Sequence, residues 1–118
     1  MKILLVEDNS EMRRLIKSLV GEIADEIYEA SDGAEALELY RTVLPDWVLM
    51  DIFMKPTDGL TGAAAITNAD PAAKIIFVSN HNDKRTRQAA LEAGGTAFFG
   101  KDDLLGLLEF LKKEKLKT

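Results

Sequence analysis

The sequence predicts a single α/β domain in which five short strands alternate with five helices and form one parallel, doubly wound sheet. Three observations predict it. Apolar runs of four or five residues recur along the chain between turn residues. A stretch with helical periodicity follows each run. No linker, repeat or low-complexity segment interrupts the alternation, so residues 1–118 read as one domain.

Lys2–Val6 is the first run and suits a buried strand. Asn9-Ser10 offers a helix cap, and Met12, Leu15, Ile16, Leu19, Val20 and Ile23 then recur on one helical face. Glu26–Ala30 is the second strand. Ser31-Asp32-Gly33 turns the chain into a helix through Tyr40, which Pro45 stops before the third strand, Trp47–Met50. Gly59–Asn68 is an Ala-rich helix directing Leu60, Ala63, Ala64 and Thr67 inward. Lys74–Val78 is the fourth strand. Asp83 opens a helix through Ala93, and Gly94-Gly95 end it by supplying a residue able to take positive φ. Thr96–Phe99 is the last strand. Asp102 or Asp103 caps a closing helix whose Leu104, Leu107, Leu108 and Leu111 share a face.

Composition narrows the function. With no cysteine, disulfide scaffolds, thiol nucleophiles and Cys-ligated metal sites are excluded. The chain has 47% hydrophobic and 30% charged residues, too apolar for disorder and too polar for a bilayer. No apolar run approaches the roughly 18 residues of a membrane span, and Glu7-Asp8 follows the first strand too soon for a signal peptide. A cytoplasmic domain with no membrane contact is expected. The net charge of −5 is uneven, because residues 1–110 hold 11 basic and 19 acidic side chains. So acidic a body repels phosphates, and direct nucleic-acid binding is not expected. Lys112, Lys113, Lys115 and Lys117 read as a solvated helix end complementing the dipole.

In parallel sheets, ligands bind beyond the carboxyl ends of the strands, where strand order reverses. Here strand one ends in Glu7-Asp8, strand three in Asp51, strand four in Ser79-Asn80 and strand five in Lys101. Taken singly, these are turn residues, a helix cap and a surface lysine; their coincidence at four strand ends is the signal. If strands one and three are neighbours, three carboxylates converge and repel one another. A hard divalent cation relieves that, and an all-oxygen site partly open to water suits Mg²⁺.

The pieces ILLVEDN, VLMDIFM with Asp51, Asp58-Gly59, FVSN with Ser79, AALEAGG, and AFFGK with Phe98 and Lys101 occur in order across the chain. This set resembles a response-regulator receiver domain of two-component signalling, over essentially the whole sequence. The resemblance implies a flavodoxin-like sheet of order 2-1-3-4-5, an order that comes with the family and not from the residue pattern. It implies that Asp51 takes a phosphoryl group from a sensor histidine kinase or phosphotransfer protein, becoming an aspartyl phosphate. Mg²⁺, or Mn²⁺, would be held by Glu7, Asp8, Asp51 and the backbone carbonyl of Phe53. Lys101 and Ser79 would engage the phosphoryl group, and Lys101 can pair with Asp51 beforehand. Ser79 and Phe98 would carry the change to the helix four–strand five–helix five face, which includes Lys84, Arg85, Arg87 and Gln88 and would control an output domain or effector protein. Such a domain catalyses its own phosphorylation and dephosphorylation and is otherwise no enzyme. Simple core packing is the other reading of Phe98, which lacks a tyrosine hydroxyl.

Three positions depart from the family pattern. Lys55 stands where Pro is common, with Pro56 next. Asn80 replaces a small residue, and Asp102 replaces a frequent Pro, though Lys101-Asp102 resembles receivers attached to helix-turn-helix output domains. His81, the only histidine, reads as a solvent-facing loop residue, since a metal site would need a second His or Cys. Two alternatives remain: a small-molecule phosphatase with an Asp nucleophile, and a receiver that switches without phosphorylation. Phosphatases of the haloacid-dehalogenase type need a second Asp two residues on, where Phe53 stands. A flavin module would need a phosphate loop where Glu7-Asp8 stand.

Overall fold

The computed structural model describes residues 1–117; the expected domain limit at Thr118 lies outside them. The elements run β1 (Lys2–Val6), α1 (Ser10–Val20), β2 (Glu26–Ala30), α2 (Gly33–Val43), β3 (Trp47–Met50), α3 (Gly59–Ala69), β4 (Ile75–Ser79), α4 (Lys84–Glu92), β5 (Ala97–Gly100) and α5 (Leu104–Leu116). All strand pairs are parallel, in the order β2-β1-β3-β4-β5. The expected fold and strand order are both present.

Each strand feeds two cores because successive side chains point to opposite faces. Leu4, Val6, Val48, Met50, Ile75 and Phe77 face Ala36 and Tyr40 of α2, Ala63 and Ile66 of α3, and Ala90 of α4. Ile3, Leu5, Trp47, Leu49, Ile76 and Val78 face Ile16 and Val20 of α1 and Leu107, Leu108 and Leu111 of α5. Sequestering both faces explains why the central strands read as unbroken apolar runs.

All five helices start on an Asn or Asp cap whose side chain accepts an orphan backbone N–H: Asn9, Asp32, Asp58, Asp83 and Asp103. The choice left open between Asp102 and Asp103 falls on Asp103. Gly94 takes φ +101, the positive φ expected after α4. The Lys55–Pro56 peptide is cis.

Several expectations shift. α2 continues past Tyr40 to Val43 and stops at Leu44 in the left-handed conformation, φ 51, because Pro45 disfavours helical geometry before it. β4 and β5 each lie one residue further on than expected. The cause is register: Ser79 pairs with Gly100, so pairing persists to the carboxyl ends and Ser79 lies inside β4. In α3, Ala64 faces solvent while Gly62, Ala63 and Ile66 are buried. Leu15 is half exposed on α1, and Ile23 is buried just beyond the helix end. Lys115 is more than a solvated cation, since its Nζ donates to the Ile23 carbonyl at 2.7 Å. Among the described residues, no helix is long and apolar enough to cross a membrane.

Candidate functional site

The strand order reverses between β1 and β3, which are neighbours although β2 separates them in sequence. Val6 pairs with Met50, so Glu7-Asp8 and Asp51 emerge side by side. The Asp51 N–H donates to the Val6 carbonyl at 3.0 Å and fixes the two strand ends together. Carboxylate oxygens of Glu7, Asp8 and Asp51 lie within 4.8 Å of one another. The convergence expected from the strand ends is therefore real. Glu7 and Asp51 are buried, whereas Asp8 faces solvent.

Lys101 reaches this cluster from two strands away. Its backbone N–H donates to the Ser79 carbonyl at 2.9 Å, holding it beside β4. Its side chain then crosses the end of β4, placing Nζ 2.8 Å from Glu7 Oε1 and 3.2 Å from Asp51 Oδ2. Sequence reasoning paired Lys101 with Asp51; the structure adds Glu7 as the closer partner. Burial raises the Glu7 pKa above its ordinary value, and the Lys101 hydrogen bond and the Asn9 N–H offset only part of that. Burial pulls the Lys101 pKa down, but its bond to Glu7 and the Asp51 charge outweigh it, so the ammonium is held above its ordinary range.

Both oxygens of each buried carboxylate are engaged. Glu7 Oε2 accepts from the Asn9 N–H at 3.1 Å, and Asp51 Oδ1 accepts from the Ile52 N–H at 2.8 Å. Three carboxylates against one ammonium leave the cluster at −2, with exposed Asp8 as its open side. An all-oxygen donor set of that charge, partly open to water, fits a hard divalent ion of the Mg²⁺ class.

Glu7, Asp8, Asp51, Phe53, Ser79 and Lys101 all line one cleft of about 220 Å³. Ser79 forms its floor, fully buried, and its Oγ accepts the His81 N–H at 3.1 Å. Gly59 sits so close behind Asp51 that a Cβ there would collide with the Asp51 carbonyl oxygen. Phe98 is not in the cleft. It is half-buried on β5, beside a separate apolar cavity against α4.

Sequence reasoning missed three contributors. Asn9 figured only as a cap, yet its N–H holds Glu7. Arg13 Nη1 donates to the Glu7 carbonyl at 2.8 Å while its Nε pairs with Glu29 at 3.2 Å. His81 is exposed as expected, but its ring lies 4.3 Å from that of Phe53, tilted by 51°, at the cleft mouth. The one signal that could have found any of them is the short offset of Arg13 from the end of β1.

A family model described as the response regulator receiver domain matches residues 3–111. The chain belongs to that family. The chemotaxis protein CheY of Listeria monocytogenes is 37% identical over 114 residues, covering 92% of this chain and 96% of the relative. CheY of Bacillus subtilis is 37% identical over 101 residues, covering 85% of this chain and 84% of its own. Among solved structures, the receiver is similar to the CheX–CheY–BeF3–Mg²⁺ complex from Borrelia burgdorferi, with TM-score 0.88 and 26% identity, covering 96% of this chain and 87% of that one. It also resembles a two-component response regulator of the LuxR family from Aurantimonas, with TM-score 0.89 and 28% identity, covering 98% and 85%. The chain is thus a chemotaxis-receiver-like domain of two-component signalling.

Proposed function

We propose that this receiver is a phosphorylation-controlled interaction switch in which Asp51 is the phosphoryl acceptor. The observation that carries the reading is the assembled cluster: three carboxylates at the point of strand-order reversal, two of them paired directly with Lys101, with the buried Ser79 lining the same cleft. An ionised Asp51 oxygen attacks phosphorus of a phosphohistidine on a sensor kinase or phosphotransfer protein. The new P–O bond forms as the P–N bond breaks, and the imidazole leaves with the electron pair. Such transfer needs alignment and charge neutralisation more than covalent help. Asp8 and Asp51, with Glu7 and the Phe53 carbonyl, would hold Mg²⁺ or Mn²⁺, which when bound supplies positive charge to the phosphoryl oxygens.

Within the chain, Lys101 would exchange its carboxylate partners for a phosphoryl oxygen, and Ser79 would donate its hydroxyl to another. The modification adds about −1.5 to −2 of charge, which favours the arrangement engaging both. Drawing in the segment after β4 and turning Phe98 inward would alter the α4–β5–α5 face read by an output domain or effector protein. Water attacking the same phosphorus, with Asp51 leaving, resets the switch. The Borrelia relative's complex with beryllofluoride and Mg²⁺ supports this reading. The setting is cytoplasmic. A phosphatase acting on external substrates has less support, because Phe53, where a second acid would stand, lies against His81.

The test is intact mass after incubation with acetyl phosphate and Mg²⁺. One added phosphoryl group, lost in Asp51→Asn, is expected. No adduct at any Mg²⁺ concentration, or turnover without adduct, sinks the proposal.

A further inference from the structure

Arg87 makes two contacts that the proposed switching would have to break together. It lies on α4, and its guanidinium carbon sits 4.9 Å from the centroid of the Phe98 ring on β5. Its Nε also donates to the Asn82 carbonyl at 3.0 Å. Asn82 belongs to the connection between Ser79 and α4, the segment the Ser79 hydroxyl would draw toward Asp51. One planar cation therefore grips both parts expected to move.

Packing alone does not secure the ring. Phe98 is half-buried and borders a cavity of about 150 Å³ whose other walls include Ala90, Leu91, Gly95 and Ala97. The core holds one side of the ring; on the cavity side Ala90, Gly95 and Ala97 are small, and Arg87 lines the same cavity with its guanidinium over the ring. A guanidinium over an aromatic face is favourable by electrostatics, and its flat shape lets it stack while still donating in its own plane.

We propose that Arg87 is a positioning residue that latches this receiver in its unphosphorylated arrangement, coupling the Ser79–Asp83 segment to the Phe98 ring. The inference rests on reading Asp51 as the phosphoryl acceptor. Turning the ring inward takes it from beneath the guanidinium, and moving the segment takes the Asn82 carbonyl from Nε. The latch therefore subtracts from the affinity for anything that requires the switched arrangement, because apparent affinity scales with the population of the competent state.

The test is calorimetric titration of the full chain with beryllofluoride and Mg²⁺, standing in for the phosphoryl group. Arg87→Ala should bind it roughly three- to tenfold more tightly than wild type. Arg87→Lys, which keeps a cation but not the planar fork, should gain less than half of that in log units. Phe98→Leu should also tighten binding, and adding Arg87→Ala to it should give less than the product of the two single effects. A purely structural role for Arg87 would lower thermal stability without tightening binding. If wild type binds and Arg87→Ala binds no tighter, or if the two substitutions act independently, the latch is refuted while Asp51 stands as acceptor. If wild type binds no beryllofluoride at all, the acceptor reading fails and the latch with it.

Discussion

Replacing Lys101 by methionine isolates the electrostatics of the cleft. The substitution keeps most of the stem but removes an ammonium lying 2.8 Å from Glu7 and 3.2 Å from Asp51. The Lys101, Glu7 and Asp51 side chains are 8%, 2% and 7% exposed, so water replaces little of what is lost. Removing one partner of a buried ion pair costs about 3–5 kcal/mol, because the other charge stays buried and unmatched. Two hydrogen bonds from backbone N–H groups remain on the carboxylates, one on Glu7 and one on Asp51, which places the cost near the low end, about 3 kcal/mol. With a urea dependence of about 2 kcal/mol per M, the midpoint should fall by about 1.5 M at pH 7.5 without divalent ions. Buried Trp47 provides the fluorescence signal. The loss should shrink toward pH 5. Burial already raises the Glu7 pKa in the folded state, and removing Lys101 raises it further. A folded state that binds the proton more tightly than the unfolded one gains stability as pH falls through that raised pKa. Added Mg²⁺ should also restore much of the loss. A midpoint change below about 0.5 M, or an equal loss at both pH values, would refute the account of Lys101 as the charge that permits this cluster.

Three further outcomes test other parts of the structure. Tyr40 is buried with its hydroxyl donating to Asp70 at 2.6 Å; burial, then the Asp70 bond, push its pKa up to about 12. Absorbance at alkaline pH should therefore show an ionisation step near 12 that Tyr40→Phe abolishes; the stability it contributes is complete below pH 10 and is lost as pH rises toward 12. Gly59→Ala should destabilise by about 3 kcal/mol in urea unfolding, because the new Cβ meets the Asp51 backbone carbonyl, an atom that cannot swing aside. Wild-type stability in that variant would show that α3 can retreat from β3 at no cost. Asn80 is exposed and lines the carboxylate cleft; with Asp51 as the proposed acceptor, Asn80→Ala should change the decay rate of the phosphorylated form, and unchanged decay would remove it from the path of water.

Much of the site could be read from the chain because the polar residues at four strand ends stand out against apolar runs. Glu7, Asp8, Asp51, Ser79 and Lys101 were all marked that way, and all line one cleft. Partners contributed by backbone groups or by the polar face of a helix had no such contrast. The Asn9 N–H on Glu7 is a backbone group that any residue except proline carries, and Arg13 reads as one more polar position on an amphipathic helix.

Local physics was written in the sequence: apolar runs, helical periodicity, Asn and Asp caps, a glycine able to take positive φ, and a proline that ends α2. Each depends on residues within a few positions of one another. Tertiary structure alone decided which strand ends meet at which depth. The pairing of Ser79 with Gly100 carried β4 and β5 one residue further and buried the hydroxyl. Lys101 settled closer to Glu7 than to Asp51, and Arg87 settled over Phe98 with its Nε on Asn82. Those outcomes depend on register and on side chains of differing length meeting across strands, and no local pattern records the distance between segments that are far apart along the chain.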